Sequence, residues 1–245
     1  MKINILDVWV DVISLDGVLQ KINQWLADNG QYYIVTPNPE FVVAAQKNKE
    51  FKDALNGAGL AISDGVGLIW ASGGKLKRVT GVELVEELFK IKNQNYKFYL
   101  LGGEEGIAAA VKQKYQEANI VGAQSGGRLN TEDWLLENNE TVINSVNNSG
   151  ANIILVAFGQ VKQEMWMVNN LAKLSNIKVA IGVGGTFDYL SGKIKRAPAW
   201  LRKLGLEWLY RLFKQPRRFG RIWNAIVAFN WLLIKKRLKR FKFNH

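Results

Sequence analysis

The chain predicts an α/β fold: a Rossmann-like, mostly parallel sheet with helices on both faces, followed by a helical, basic C-terminal appendage. Three observations carry that reading. Short β-rich runs alternate with helical patterns through most of the chain, the order that gives a parallel sheet. Three of the runs, at 97–101, 152–158 and 178–183, are nearly continuous apolar stretches, as expected of strands covered on both faces. Charge is also segregated: residues 193–245 hold sixteen Lys/Arg against the single acid Glu207, a balance of +15, whereas residues 1–192 hold seventeen against twenty, a balance of −3.

Each element follows from its local chemistry. A helix is expected over 17–28, capped by Ser14 or Asp16, followed by a strand at 32–36. Pro39 suits the first turn of a helix over 39–48, because its missing N–H has no partner there anyway. A strand at 60–63 and a helix over 82–92 come next, then the strand at 97–101 and a helix over 104–116. Thr131 with Asp133 and Trp134 reads as the start of a helix over 131–147. The strand at 152–158, a helix over 162–174 and the strand at 178–183 complete a catalytic body over 1–195. The appendage, 196–245, opens with an amphipathic helix over 198–213 whose stripe is Leu201, Leu204, Trp208 and Leu212. Pro216 is expected to break it. Residues 222–234 are apolar except for Asn224 and Asn230, and a dense Lys/Arg run follows. A spanning helix needs ~20 apolar residues, so this stretch is too short to cross a bilayer.

Composition narrows the chemistry. With 245 residues, 48% of them hydrophobic and 22% charged, the chain has material for a packed core rather than a disordered segment. It has no cysteine, which excludes disulfides, thiolate zinc sites and cysteine nucleophiles. Its one histidine is the last residue, His245, so Ser-His-Asp chemistry and histidine general bases are excluded in practice. Acid–base work falls to carboxylates, Lys, Tyr or water. The start lacks a long apolar core with a cleavage site, so no signal peptide is read and a cytoplasmic location is expected.

In such folds ligands bind at the carboxyl ends of the strands. Five strand ends carry notable residues: Thr36-Pro37-Asn38-Pro39, Ser63-Asp64-Gly65-Val66-Gly67, Gly102-Gly103-Glu104, Gly159-Gln160-Val161-Lys162-Gln163-Glu164, and Gly182-Val183-Gly184-Gly185-Thr186-Phe187-Asp188. Glycines there admit a ligand close to the backbone and free helix N–H groups can hold phosphate, though each loop alone reads equally as a tight turn. Together they point to a nucleotide-like ligand. The dinucleotide fingerprint is incomplete, with Phe187 where the third glycine belongs, and no P-loop is present. Asp64, ending an apolar strand before Gly65, is the best candidate base; partial desolvation would raise its basicity, and the alternative is a turn or cap residue. Thr36 and Asn38 are candidates to hydrogen-bond a sugar hydroxyl, or to cap the Pro39 helix. Gln163 reads as a polar ligand contact or a solvated residue, and Asp188 as a ribose ligand or a turn cap.

A basic, tryptophan-bearing tail (Trp200, Trp208, Trp223, Trp231) fits a polyanion: nucleic acid, an anionic membrane or a phosphorylated ligand. The apolar 222–234 stretch lacks the polar residues that read bases, so no nucleic-acid partner is expected. A helix lying in the headgroups of an anionic leaflet fits, as does a core or dimer helix, which leaves a homodimer open. A near-continuous helix would put Arg211, Arg218 and Arg221 on one face, an arrangement suited to a diphosphate.

Taken in order, Thr36-Pro37-Asn38, Asp64-Gly65, Arg78-Val79-Thr80-Gly81, Leu100-Leu101-Gly102-Gly103, Phe158-Gly159 with Lys162-Gln163-Glu164, the 182–188 loop, Lys195-Arg196-Ala197-Pro198, the 204–211 segment and Pro216-Arg217-Arg218 form an ordered set. The chain, over residues ~1 to 221, resembles the WecG/TagA/CpsF glycosyltransferases. The resemblance, strongest to the branch acting in teichoic-acid linkage, implies inverting transfer of N-acetylmannosamine from its UDP donor to undecaprenyl-diphosphate-linked N-acetylglucosamine. It also implies an appendage that docks on the inner face of the membrane and completes the site. No cofactor is implied. The sequence has no Asp-x-Asp, so no metal clamp on the diphosphate is expected. The expected assignment is then Asp64 as base, Arg211, Arg218 and Arg221 on the diphosphates with Arg78 as helper, Thr36 and Asn38 on sugar hydroxyls, and Gln163, Gly102, Gly103, Gly184, Gly185 and Asp188 around UDP.

Overall fold

The structure is a computed structural model that describes residues 1–91, 93, 95–203, 206–214 and 219–243. Strands β1 (Lys2–Ile5) and β2 (Val8–Asp11) form an antiparallel hairpin. Helix α1 (Leu15–Ala27) leads to β3 (Tyr32–Val35), α2 (Pro39–Ala45), α3 (Lys49–Asn56), β4 (Leu60–Ala61), α4 (Val66–Ala71) and α5 (Gly81–Lys90). Then come β5 (Phe98–Gly102), α6 (Ile107–Lys114), β6 (Ile120–Gln124), α7 (Asn139–Asn148), β7 (Ile153–Ala157), α8 (Lys162–Asn170), β8 (Val179–Gly182) and α9 (Thr186–Leu190). The appendage comprises α10 (Ala199–Lys203), α11 (Glu207–Lys214) and α12 (Phe219–Phe243).

The expected parallel sheet is present, six-stranded in the order β4-β3-β8-β7-β5-β6. In β7 alternate residues serve opposite layers: Ile153 and Leu155 face Val18, Ile22 and Leu88, while Ile154 and Val156 face Val146 and Trp166. This double burial is why the strand reads as one apolar run. A further cluster under α2, α3 and α12 is built on Phe41, Phe51, Leu68 and Phe229. The hairpin covers the sheet edge at β4, where the Asp11 carboxylate accepts the Ala61 amide at 3.0 Å.

Several expectations are corrected. The helix expected from Thr131 begins at Asn139 instead. Asn130 and Asp133 accept the amides of Glu132 and Leu135 at 3.0 Å each, so their side chains close turns rather than cap a helix. The helix expected over 198–213 is two helices, α10 and α11, with non-helical Leu206 before the second. The Leu206 amide donates to the Leu201 carbonyl at 2.9 Å, a five-residue closure in place of the α-helical four. The break expected at Pro216, and with it the face expected to join Arg211, Arg218 and Arg221, falls on 215–218, outside the described residues. Arg218, and the side chains of Arg211 and Arg221, lie outside the described residues.

Helix α12 has two faces. Phe229, Leu232 and Leu233 pack into the core beside α2, and the Lys236 ammonium reaches Asp7 at 3.3 Å. About half a turn away, Trp223, Val227, Trp231, Ile234 and Leu238 stand exposed in one stripe. Among the described residues no helix is long and apolar enough to cross a membrane.

Candidate active site

Strand order locates the site. The connection leaving β5 runs to β6 on one side, and that leaving β7 runs to β8 on the other. The crevice at the carboxyl ends of β5 and β7 is therefore a switch point, where two diverging loops leave room for a ligand. A cleft of about 350 Å³ opens there. Its lining includes Gly103 and Glu104 after β5, Phe158, Gly159 and Lys162 after β7, Gly184, Gly185 and Asp188 after β8, and Ser125 and Arg128 after β6. Gly102 takes φ +114°, and a Cβ there would sit 2.7 Å from the Ala157 carbonyl carbon. That position needs glycine to let the ends of β5 and β7 close on each other.

Behind the cleft lies a chain of hydrogen bonds. Val161, just before α8, holds φ +71° and ψ −54°, a strained conformation for a β-branched residue. The turn sends Gln163 and Glu164 inward, and both are fully buried. The Gln163 side-chain carbonyl accepts the Gly184 amide at 2.8 Å, and its Nε2 donates to Glu164 Oε1 at 2.6 Å. Gly182 lies against the pair: a Cβ on it would come within 2.8 Å of Gln163 Nε2 and 3.0 Å of Glu164 Oε1. The Gly182 carbonyl accepts the buried Thr36 hydroxyl at 3.1 Å. One residue on, the Pro37 carbonyl accepts the Asp64 amide at 3.0 Å. The cleft and the Asp64 loop are thus joined through backbone groups at the ends of β8, β3 and β4.

Asp64 is half-buried just before α4. The amide of Val79 donates to the Ser63 carbonyl at 2.9 Å, which brings the Arg78 segment alongside. The Arg78 guanidinium meets Glu83 at 3.4 Å. Asn38 caps α2, its Oδ1 accepting the Phe41 amide at 3.2 Å. The appendage covers this end: Gly67 of α4 lies against Pro39, and a Cβ on it would stand 3.8 Å from the Phe229 ring.

Of the residues singled out from sequence, Gly103, Gly184, Gly185 and Asp188 meet around the cleft. Gly102 shapes it, Gln163 and Thr36 stand behind it, and Asp64, Asn38 and Arg78 belong to the neighbouring β3–β4 end. Sequence reasoning missed Arg128 and Lys162, the two cations lining the cleft. Arg128 lies in the loop after the strand overlooked at 120–124, and Lys162 stood in plain view without a role. Glu164 was also missed. Burial raises its carboxyl from the ordinary 4.5 to about 8, against the smaller opposing pull of the Gln163 hydrogen bond and of its own and Val161's backbone. A fourth omission is Arg196, whose guanidinium meets Glu86 at 2.8 Å, Glu207 at 3.6 Å and Glu83 at 3.9 Å, tying α11 to α5.

Comparison with known proteins places the chain in a family. Residues 3–243 match the model of the Glycosyl transferase WecG/TagA/CpsF family. The chain is 34% identical over 250 residues to the N-acetylglucosaminyldiphosphoundecaprenol N-acetyl-beta-D-mannosaminyltransferase of Staphylococcus aureus strain MRSA252, covering 97% of this chain and 94% of that protein. It is 32% identical over 248 residues to the protein of the same name from strain MW2, with the same coverage.

Proposed function

This chain belongs to the WecG/TagA/CpsF glycosyl transferase family, and from that membership we propose that it transfers N-acetylmannosamine from a UDP donor to N-acetylglucosamine on undecaprenyl diphosphate, with inversion. The observation that carries the reading is the glycine-lined cleft at the strand switch, joined by hydrogen bonds to a half-buried aspartate under the appendage. In this reading UDP lies in the cleft, its phosphates close to the glycine backbone and to Lys162 and Arg128, with Asp188 beside the ribose. The sugar points toward Asp64. The Asp64 carboxylate takes the proton from the acceptor hydroxyl as that oxygen attacks the anomeric carbon. The bond to the UDP oxygen breaks on the opposite face, inverting the centre, and UDP leaves with the electron pair.

Charge builds on the departing diphosphate, so cations near it lower the barrier. The acidic balance of residues 1–192 leaves the surplus of cations in the appendage. We assign this task to Arg211, Arg218 and Arg221, with Arg78 on the body side. Thr36 and Gln163 act by fixing the loops that carry these groups, and Asn38 by holding the start of α2. Residues 1–195 serve as the catalytic body, and 196–245 as a part that docks on the inner face of the cytoplasmic membrane. The apolar stripe from Trp223 to Leu238, with its Lys/Arg flank, suits an anionic leaflet.

Product analysis tests the reading. The full chain is given a panel of UDP sugars and an N-acetylglucosamine-diphospholipid in anionic vesicles. UDP-N-acetylmannosamine should yield one added sugar of inverted configuration. Preference for another donor, such as the uronic-acid form of that sugar, would overturn the donor assignment, and no transfer from any donor would overturn the function.

A further inference from the structure

Glu164 takes no part in the chemistry above, yet it is fully buried at the cleft's back wall. Its Oε1 accepts from Gln163 Nε2 at 2.6 Å, while its buried Oε2 has no hydrogen-bond partner among the described residues. A buried carboxyl with an unpaired oxygen costs stability, and a strained backbone at Val161 is retained to present it. Both costs fall at one place, the first turn of α8 facing the loop after β8. A carboxamide can be turned over by exchanging its oxygen and nitrogen, and only one orientation of Gln163 offers an acceptor to the Gly184 amide. Glu164 Oε1 takes up the Gln163 Nε2 in that orientation, and the opposite one would set Nε2 against the Gly184 amide, donor against donor.

We propose that Glu164 is a positioning residue for the cleft, acting through Gln163 to hold the Gly184 amide and the turn running to Asp188. The inference rests on the reading that this cleft takes the UDP part of the donor. Gly182 supports it, since the two side chains occupy the space a Cβ would need there. The network also has direction. Glutamine at 164 keeps an acceptor for Gln163, whereas methionine of similar length keeps the volume and removes the acceptor.

The test uses the full chain, UDP as probe, and Glu164→Gln and Glu164→Met. Calorimetry gives UDP affinity, thermal unfolding gives stability, and hydrogen exchange follows the amides at 183–188. Glu164→Met should weaken UDP binding about tenfold and speed exchange at Gly184, with a melting temperature at or above that of the parent. Glu164→Gln should restore both affinity and slow exchange. A merely structural role would make affinity follow melting temperature, and that result overturns the proposal. So does unchanged exchange at Gly184 in Glu164→Met. Failure of the parent chain to bind UDP would remove the cleft assignment instead, and the exchange comparison would still decide whether Glu164 holds Gly184.

Discussion

Replacing Glu164 by glutamine gives a stability prediction with a definite sign and size. In the folded chain the carboxyl keeps its proton up to about pH 8, because burial penalises the anion; the ordinary value is 4.5. Between those limits the native state binds a proton that the unfolded state has released. Stability from this group is therefore fully present below about pH 4.5 and is lost as pH rises through about 8. One pKa unit corresponds to about 1.4 kcal/mol, so roughly 3 kcal/mol has gone by pH 7. Glutamine does not titrate. The assay is urea unfolding of parent and Glu164→Gln at several pH values from about 5 to 8, comparing the difference between the two so that other titrations cancel. The difference should move in favour of the variant by about 1.4 kcal/mol per pH unit across most of that range. A difference independent of pH would refute the claim that Glu164 is neutral in the fold.

Other perturbations read out different links in the account. Gly102→Ala forces a Cβ to 2.7 Å from the Ala157 carbonyl carbon at φ +114°, and should lower the melting temperature by about 5 °C or more. Phe229→Ala removes a ring only 3% exposed, a change that costs about 3–5 kcal/mol in a core. Here it should free α12 from the body, raising hydrogen exchange over 219–243 and cutting transfer while vesicle flotation persists. Trp223→Ala with Trp231→Ala changes rings that are 57% and 63% exposed; vesicle binding should fall roughly tenfold or more by flotation, with UDP affinity in solution unchanged.

The sheet was legible in the sequence where burial is symmetric. Strands β5, β7 and β8 are covered on both sides, so their apolar runs stand out without any alternation to interpret. Strand β6 was not, because it lies at the edge and its residues Val121–Gln124 are only half-buried, one of them a glycine. The N-terminal hairpin escaped notice for another reason. Its two-residue turn puts Leu6 and Asp7 at φ +50° and +65°, where Asn-Gly is the usual signal. Loop residues around the cleft were readable because glycine after a strand has few meanings. The roles of Gln163 and Glu164 were not, because sequence does not say whether a polar pair in a first helical turn faces a ligand or the interior. Here the left-handed turn at Val161 decides it. Arg196 and Glu207 could not be paired with Glu83 and Glu86 from sequence, since only the folded chain brings those segments together.

In the proposed mechanism Asp64 performs the proton transfer while a separate cleft binds the nucleotide. Asp64→Asn tests it when UDP affinity and sugar transfer to the lipid acceptor are measured on the same vesicle-bound preparation. UDP affinity should stay within about twofold of the parent and transfer should fall by about 10²–10⁴. Transfer at the parent's rate, or loss of UDP binding along with transfer, would contradict it.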